Sequence, residues 1–512
     1  MEFALRRRNL IRGAAIGTGA VLIGSGAASA GPALHTERPV LTHGVQAGDV
    51  DSSGAAVLWT RADRPSRMWA QVATRPDFRH ARTFRGPQLT AATDFTGKLR
   101  INGLCAGQTV HYRVWAEDER GRSLSATGSL RTPRTGDQDV RFVWSADLAG
   151  QGWGINPEFG GFRIFGDMLA RDPDFFLCSG DFYYADNPIP ESITLADGRV
   201  WRNVVTAEKS KVAETLDEFR GQYKYNLADT NLREFLSKVP LINQWDDHEV
   251  INNWYPGKVL TDDRYTEKNV DALAANAWKA LAEYTPSALT SDGQGRVYRK
   301  ISYGPHVDVF VTDMRSFRNK NDEDNQPDLA SGVFGRAQLD WLKAALTAST
   351  ATWKVLSLGM PIGGIVSDGK PNQDGVPQGD PGQPLGRELE VAELLTHVHR
   401  AGIQNLVVAT ADVHYTSAQH YDPSRAAYQE FTPFWEFIAG PMNAGSYGPV
   451  KFDPTFGPEV RFHKPPKTAG TGPMDGGQFF GEMSVDAETL ALTVRLIEIG
   501  GTELFQVEIP AS

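Results

Sequence analysis

At 512 residues the chain is longer than one ordinary hydrophobic core, and its 41% hydrophobic, 22% charged composition is that of a globular protein, not a fibrous or disordered one. A formal charge of −10 argues against a general binder of nucleic acid or anionic membrane, because either would need a basic face. Two cysteines, Cys105 and Cys178, are too few for a disulfide scaffold and read as small core residues.

Residues 1–30 read as a targeting segment. Arg6-Arg7-Arg8-Asn9-Leu10-Ile11-Arg12 carries a twin-arginine pattern, a Gly/Ala-rich apolar run follows, and Ala28-Ser29-Ala30 has the form of a cleavage site. The apolar run is too short and too rich in glycine for a permanent membrane span. The expected location is therefore secreted, periplasmic or cell-wall associated, with the twin-arginine (Tat) export machinery as a partner. That route exports folded proteins, which suits a cofactor inserted beforehand. Losing the segment removes four arginines and one glutamate and moves the formal charge from −10 to about −13. Residues 31–39 read as a linker.

Residues 40–135 read as a small all-β sandwich. Ala56–Thr60, Met68–Val72, Thr109–Trp115 and Leu124–Arg131 are short runs separated by turns, with no long amphipathic segment between them. Gly103-Leu104-Cys105-Ala106-Gly107 before Tyr112-Arg113-Val114 resembles the turn and strand of fibronectin-type-III or Ig-like modules, and Trp59 and Tyr112 read as core aromatics. The boundary is expected at Pro133–Asp139.

From Val140 strands alternate with helices, so residues 139–512 read as an α/β domain. Helices are predicted at Phe162–Ala170, over Val212–Val239 with a break near Asn226–Thr230, at Val270–Tyr284, at Arg336–Ala348 and at Leu389–Ala401. Val297–Ile301 and Val307–Thr312 read as a hairpin, and Trp353–Gly359 and Leu406–Thr410 as buried strands. Pro361–Gly386 is a long Gly/Pro/Asp-rich loop, expected to form a functional rim or lid. Phe479–Val485 and Leu490–Ile509 close the chain as an antiparallel meander.

The chemistry lies where these runs stop. Val140–Trp144 ends at Asp147, Phe175–Cys178 ends at Asp181 with Tyr184 three residues beyond, and two later apolar runs lead into Trp245-Asp246-Asp247-His248-Glu249 and Ala411-Asp412-Val413-His414. Buried parallel strands deliver carboxylates to the C-terminal edge of a sheet in this way. A lone Asp there would cap a helix, a lone His would be a hydrogen-bonded core residue, and Tyr183 or Tyr184 a core aromatic. The whole set at successive strand ends points to metal. Hydrolysing a phosphate ester requires neutralised phosphoryl oxygens, a hydroxide near neutral pH and a proton for the leaving oxygen, and two cations bridged by a carboxylate meet the first two needs.

Asp181 is the natural bridge. Asp147, Tyr184 and His414 would complete one site and Asp247 and Asp412 the other, with Asn252 or Asn253 adding an amide oxygen. Phenolate beside carboxylate is a hard donor pair suited to a trivalent or strongly Lewis-acidic ion. His248 would face the substrate as a donor to a phosphoryl oxygen or as the proton source; its alternative is a ring held by Asp246 or Glu249. Arg315 would grip a phosphate oxygen bidentately or pair with Asp313. His397-Val398-His399 looks like a chelating pair, but positions i and i+2 of a helix point apart.

Gly180-Asp181-x-x-Tyr184, Trp245-Asp246-Asp247-His248-Glu249 and Ala411-Asp412-Val413-His414 resemble the PhoD-type alkaline phosphatase and phosphodiesterase family. That family belongs to the calcineurin-like metallophosphoesterases and is related to purple acid phosphatases. The resemblance spans nearly all of the chain beyond the targeting segment, and it implies a four-layer α/β/β/α domain preceded by the sandwich. It also implies a ferric ion with calcium ions, and release of inorganic phosphate from monoesters or cleavage of diesters, phospholipids and teichoic acids among them. Under it Asp181 is the bridge, Tyr184 the phenolate ligand of iron and His414 a further ligand. Asp412 and Asp247 stand where the family more commonly has histidine and asparagine, which favours Ca²⁺ or Mn²⁺ over Zn²⁺. Asp147 stands where many members carry a cysteine, so thiolate softness is lost there.

The sequence also admits two rival readings. One is a phospholipase D-like phosphodiesterase acting on lipid head groups, with Phe431-Thr432-Pro433-Phe434-Trp435 as an aromatic lid or, equally, as core. The other is a cell-surface binding protein with a vestigial site, against which the full ligand set argues.

Overall fold

Side chains along Val140–Ser145 alternate between two cores: Val140, Phe142 and Trp144 enter one, and Val143 enters the other. A strand covered on both faces belongs in the middle of a layered fold. The structure, a computed structural model, describes residues 37–289, 296–322, 332–377, 379 and 381–512. The targeting segment expected at 1–30 lies outside these residues. Among the described residues no helix is long and apolar enough to cross a membrane.

Residues 38–512 form one unit built on two large mixed sheets. The nine-stranded sheet runs Thr502–Ile509, Leu492–Glu498, Phe479–Val485, Val140–Ser145, Phe175–Cys178, Leu241–Asn243, Leu41–Asp51, Ala55–Ala62, Thr96–Ile101. The seven-stranded sheet runs Arg299–Tyr303, Val307–Val311, Trp353–Ser357, Leu406–Thr410, Phe434–Ile438, Thr416–Tyr421, Pro458–Lys464. Their facing sides share a core in which Phe142, Trp144 and Leu177 meet Val309, Val355 and Phe437. Outside the first sheet pack the helices Ile164–Ala170, Leu216–Asn226, Thr230–Lys238 and Val270–Tyr284, and outside the second Arg336–Thr347 and Glu388–Arg400. These are the four layers α/β/β/α.

Local chemistry explains the break expected near Asn226–Thr230. Thr215 and Glu218 form a capping box that starts Leu216–Asn226, and Asp229 accepts the Leu232 N–H to start Thr230–Lys238. The hairpin forms two residues later than predicted at its first strand, pairing Arg299 with Val311.

In the N-terminal part, Ser66–Ala73 and Thr109–Asp118 pair and face the Leu41–Asp51 and Ala55–Ala62 strands across a core of Val45, Leu58, Met68, Val72, Tyr112 and Val114. Leu41–Asp51, which the sequence reading did not mark as a strand, joins Ala55–Ala62 and Thr96–Ile101 to the central strands of the nine-stranded sheet by pairing Gly48 with Leu241 in parallel. A side chain at Gly48 would meet the Leu241 carbonyl oxygen at 2.4 Å, so only glycine permits the junction. Trp59 is buried, yet not in the sandwich core; its Nε1 donates to the Glu283 carbonyl and its ring lies against Tyr284. Both cysteines are free. Cys178 is buried as expected, whereas Cys105 is exposed, in the segment between the strands Thr96–Ile101 and Thr109–Asp118.

Candidate active site and metal centre

The expected ligands gather at the C-terminal ends of the central strands, where the chain must turn sharply. Asp147 (φ 66°), Asp181 (φ 48°), Asn253 (φ 55°), Asp412 (φ 68°) and His414 (φ 57°) all take the left-handed backbone region. Residues other than glycine adopt it at a cost of roughly 1–2 kcal/mol each, and such strain collects where function holds it in place. Gly180 (φ 109°) precedes Asp181, and a side chain there would strike the Asp246 Cβ at 2.5 Å. The Asp181 and Asp246 loops can therefore lie against each other.

Among the described residues three groups of ligand-type atoms result, each within 4.8 Å: Asp147 with Asp181 and His414, Asp181 with Asp247 and His248, and Asp246 with Asp247 and Asp412. Asp181 is shared by the first two and Asp247 by the last two. Tyr184 Oη lies 2.8 Å from His414 Nε2, so the phenol joins the first group. His414 Nδ1 faces the Gly445 carbonyl at 2.6 Å, which fixes the donor proton on that nitrogen and leaves the Nε2 lone pair for the site. Burial lowers the His414 pKa to about 4, so the ring is neutral.

Both Asp147 carboxylate oxygens, and Asp247 Oδ1, are buried without a hydrogen-bond partner among the described residues. Burial, followed by the charge of Asp246, raises the Asp147 carboxyl well above the usual range; burial and Asp247 do the same to Asp181, and burial and Asp246 to Asp412. Uncompensated buried carboxylates are strongly unfavourable, and a bound cation reverses that pressure. Carboxylate oxygens outnumber the two imidazoles, His414 and His248, in these groups, which fits hard cations.

Glu249 locks the arrangement. Its fully buried carboxylate accepts the backbone N–H of Asp181 (3.0 Å), Phe182 (2.6 Å) and Asp246 (2.8 Å), tying two ligand loops together. His248 Nδ1 lies 2.8 Å from Asp186 Oδ1, while Asp186 Oδ2 accepts the Asn252 N–H. Burial opposes a charged His248 ring, but Asp186 and then Asp247 outweigh it and lift its pKa to about 9. Protonated at neutral pH and held by one nitrogen, the ring can offer the proton on the other.

The family model for PhoD-like phosphatase matches residues 142–496, and that for the PhoD-like phosphatase N-terminal domain matches residues 26–134. The chain belongs to the PhoD-like phosphatase family. It is a phosphoester hydrolase, with phosphate esters as substrates and phosphate as product. It is 25% identical over 444 residues to alkaline phosphatase D of Bacillus subtilis (strain 168), covering 80% of this chain and 70% of that protein. A solved PhoD structure overlays with a TM-score of 0.69 at 20% identity, covering 92% of this chain and 89% of that one. Purple acid phosphatase PPD1 from yellow lupin (Lupinus luteus) seeds overlays at 0.56 with 10% identity, covering 92% and 74%. These two overlays establish the shared fold.

Several residues of the phosphatase lie in settings other than those expected. Arg315 does not pair with Asp313, whose Oδ1 accepts the Arg315 backbone N–H; its guanidinium binds Asp246 and Asp374. With Nε and Nη1 already committed, a bidentate grip on phosphate is excluded in this arrangement. Asn252 is exposed, whereas Asn253 donates its backbone N–H to Asp247 Oδ2 (2.6 Å) and its side-chain N–H to Asp368 (2.8 Å). His248 is held by Asp186, not by Asp246 or Glu249. His397 and His399 contact Thr347 and Thr432 separately, as the helix geometry requires. Phe431 and Phe434 are core residues, and Trp435 stacks on Phe437, so that run forms no lid.

Asp186 and Asp374 were missed by the sequence reading. Asp186 lies five residues after Asp181, and Asp374 sits in the 361–386 loop whose composition already marked it as a functional rim or lid.

Proposed function

We propose that this phosphatase is an exported, metal-dependent phosphomonoesterase and phosphodiesterase that holds its cations at the strand ends. The observation that carries the reading is Asp181, shared by two ligand groups beside the buried Asp147 carboxylate, which has no hydrogen-bond partner among the described residues. Asp147, Asp181, Tyr184 and His414 would hold Fe³⁺. Asp181, Asp247, Asn253 and Asp412 would hold Ca²⁺, with Mn²⁺ or Zn²⁺ as substitutes. Bound there, the cations would neutralise phosphoryl oxygens and lower the pKa of water to the neutral range.

The chain's own residues supply the rest. His248, protonated and oriented by Asp186, gives its proton to the leaving oxygen. Asp186 is almost wholly buried and stays ionised despite that burial because the His248 charge stabilises it. Glu249 keeps the Asp181 and Asp246 loops in register through its three N–H contacts. Phospholipid and polymeric phosphodiesters are included among the substrates proposed.

Elemental analysis of the purified enzyme, combined with a panel of monoester, diester and phospholipid substrates, tests this reading. Iron and calcium with turnover are expected; an active protein free of metal would reject it. Iron bound by Tyr184 predicts a visible phenolate-to-iron absorption band that disappears in Tyr184→Phe, and a colourless, fully active wild type would exclude iron from that position. Residues 1–30 are proposed to direct twin-arginine export. Fractionation of producing cells should find the full-length product outside the cytoplasm and a product lacking the segment inside it.

A further inference from the structure

Arg315 follows the Val307–Val311 strand, and its guanidinium is fully buried. Nε donates to Asp246 Oδ1 at 2.5 Å, and Nη1 donates to both oxygens of Asp374 at 2.9 and 3.0 Å. Among the described residues Nη2 has no hydrogen-bond partner; it lies 3.7 Å from Asp247 Oδ2 and 3.6 Å from Asp412 Oδ1. Asp246, Asp247 and Asp412 are the same three carboxylates that form the third ligand group, with oxygens within 4.8 Å of one another. One guanidinium therefore touches every member of that group, and Asp374 closes its remaining side.

Three carboxylates at such a spacing would ordinarily call for a cation, since without one their charges repel in a low-dielectric interior. Here a cation is already supplied by the chain. We propose that Arg315 is a built-in cation, a positioning residue standing where a further metal ion would otherwise sit and holding Asp247 and Asp412 in place for the neighbouring sites. Arginine suits the role for three reasons. Its charge persists at every working pH, its planar fork reaches carboxylates on several sides, and no chelator can remove it. A lysine ammonium retains the charge but presents it at one point. Asp374 anchors the guanidinium and also lies 3.2 Å from Arg318 Nη1, so the 361–386 loop is bound to the metal centre by ion pairs.

The inference rests on the metal reading above only for the adjoining sites, and its test is a difference in ion count between variants. Full-length protein is stripped with chelator and titrated with calcium alone, and bound calcium per chain is measured by equilibrium dialysis with elemental analysis. Arg315→Met is expected to bind one more calcium ion per chain than the wild type, and its thermal midpoint should rise further on adding calcium than the wild-type midpoint does. Arg315→Lys should keep the wild-type number. Equal counts in Arg315→Met and wild type, or an extra ion in Arg315→Lys, would overturn the proposal. If Arg315→Met does not fold alone, folding on addition of calcium is the expected result and failure to fold in calcium is the overturning one. A wild type that binds no ion condemns the metal reading of the adjoining sites, a different outcome from equal counts.

Discussion

Asp181→Asn is expected to reduce turnover by on the order of 10³-fold or more and to remove most of the bound metal, since metal ions supply several kcal/mol of transition-state stabilisation. Asp181 is common to two of the three ligand groups, and its side chain is almost wholly buried. An amide in its place offers one acceptor oxygen and no charge, so it cannot serve two cations together. The fold should survive, because the loop is held through the Asp181 backbone N–H by Glu249, and the His248 N–H that Asp181 Oδ1 accepts at 3.0 Å finds the same oxygen in asparagine. Metal content and kcat on a simple monoester, measured together, decide the matter. A metal-replete and active variant would remove Asp181 from the bridging position.

His248→Ala is expected to lower kcat by about 10²–10⁴-fold, the usual worth of a positioned acid, while metal content stays near wild type. The loss should be smaller with an activated leaving group that departs without a proton. Asp186→Asn separates the acid from its support. In the wild type, Asp186 first and Asp247 next outweigh burial and hold the His248 pKa at about 9, so the acid form lasts to that pH. Without Asp186 burial dominates, the pKa falls, and the alkaline fall-off of activity should move to lower pH. Stability follows the same sign. A pKa raised in the folded state contributes stability that is fully present below the ordinary histidine value and is lost as pH rises through about 9. An unshifted pH–rate profile in Asp186→Asn would deny Asp186 its supporting part, and normal turnover in His248→Ala would exclude the ring as the acid.

The network around Arg315 shows where sequence reasoning stops. Arg315 was recognisable as a basic residue at a strand end, and that placement holds. Its partners were not recognisable. Asp246 comes from 69 positions earlier and Asp374 from 59 later, and nothing in either neighbourhood encodes the meeting. Asp186 and His248 are likewise 62 residues apart. The strands Thr416–Tyr421, Phe434–Ile438 and Pro458–Lys464, the first of which pairs with both of the others, also went unread.

By itself the sequence determined the alternation of strands and helices, the capped break before Thr230, and the acidic residues that end the central strands. Each of these follows from local physics: the repeat of two along a strand, the side chain that caps a helix, and the carboxylate left where an apolar run stops. Only the tertiary structure decided which carboxylates share a cluster, which are left buried without partners, and which positive side chain neutralises them. Those outcomes depend on distances of a few ångströms between residues far apart in sequence. In a low-dielectric interior such distances set whether a charge is compensated, and no local pattern encodes them.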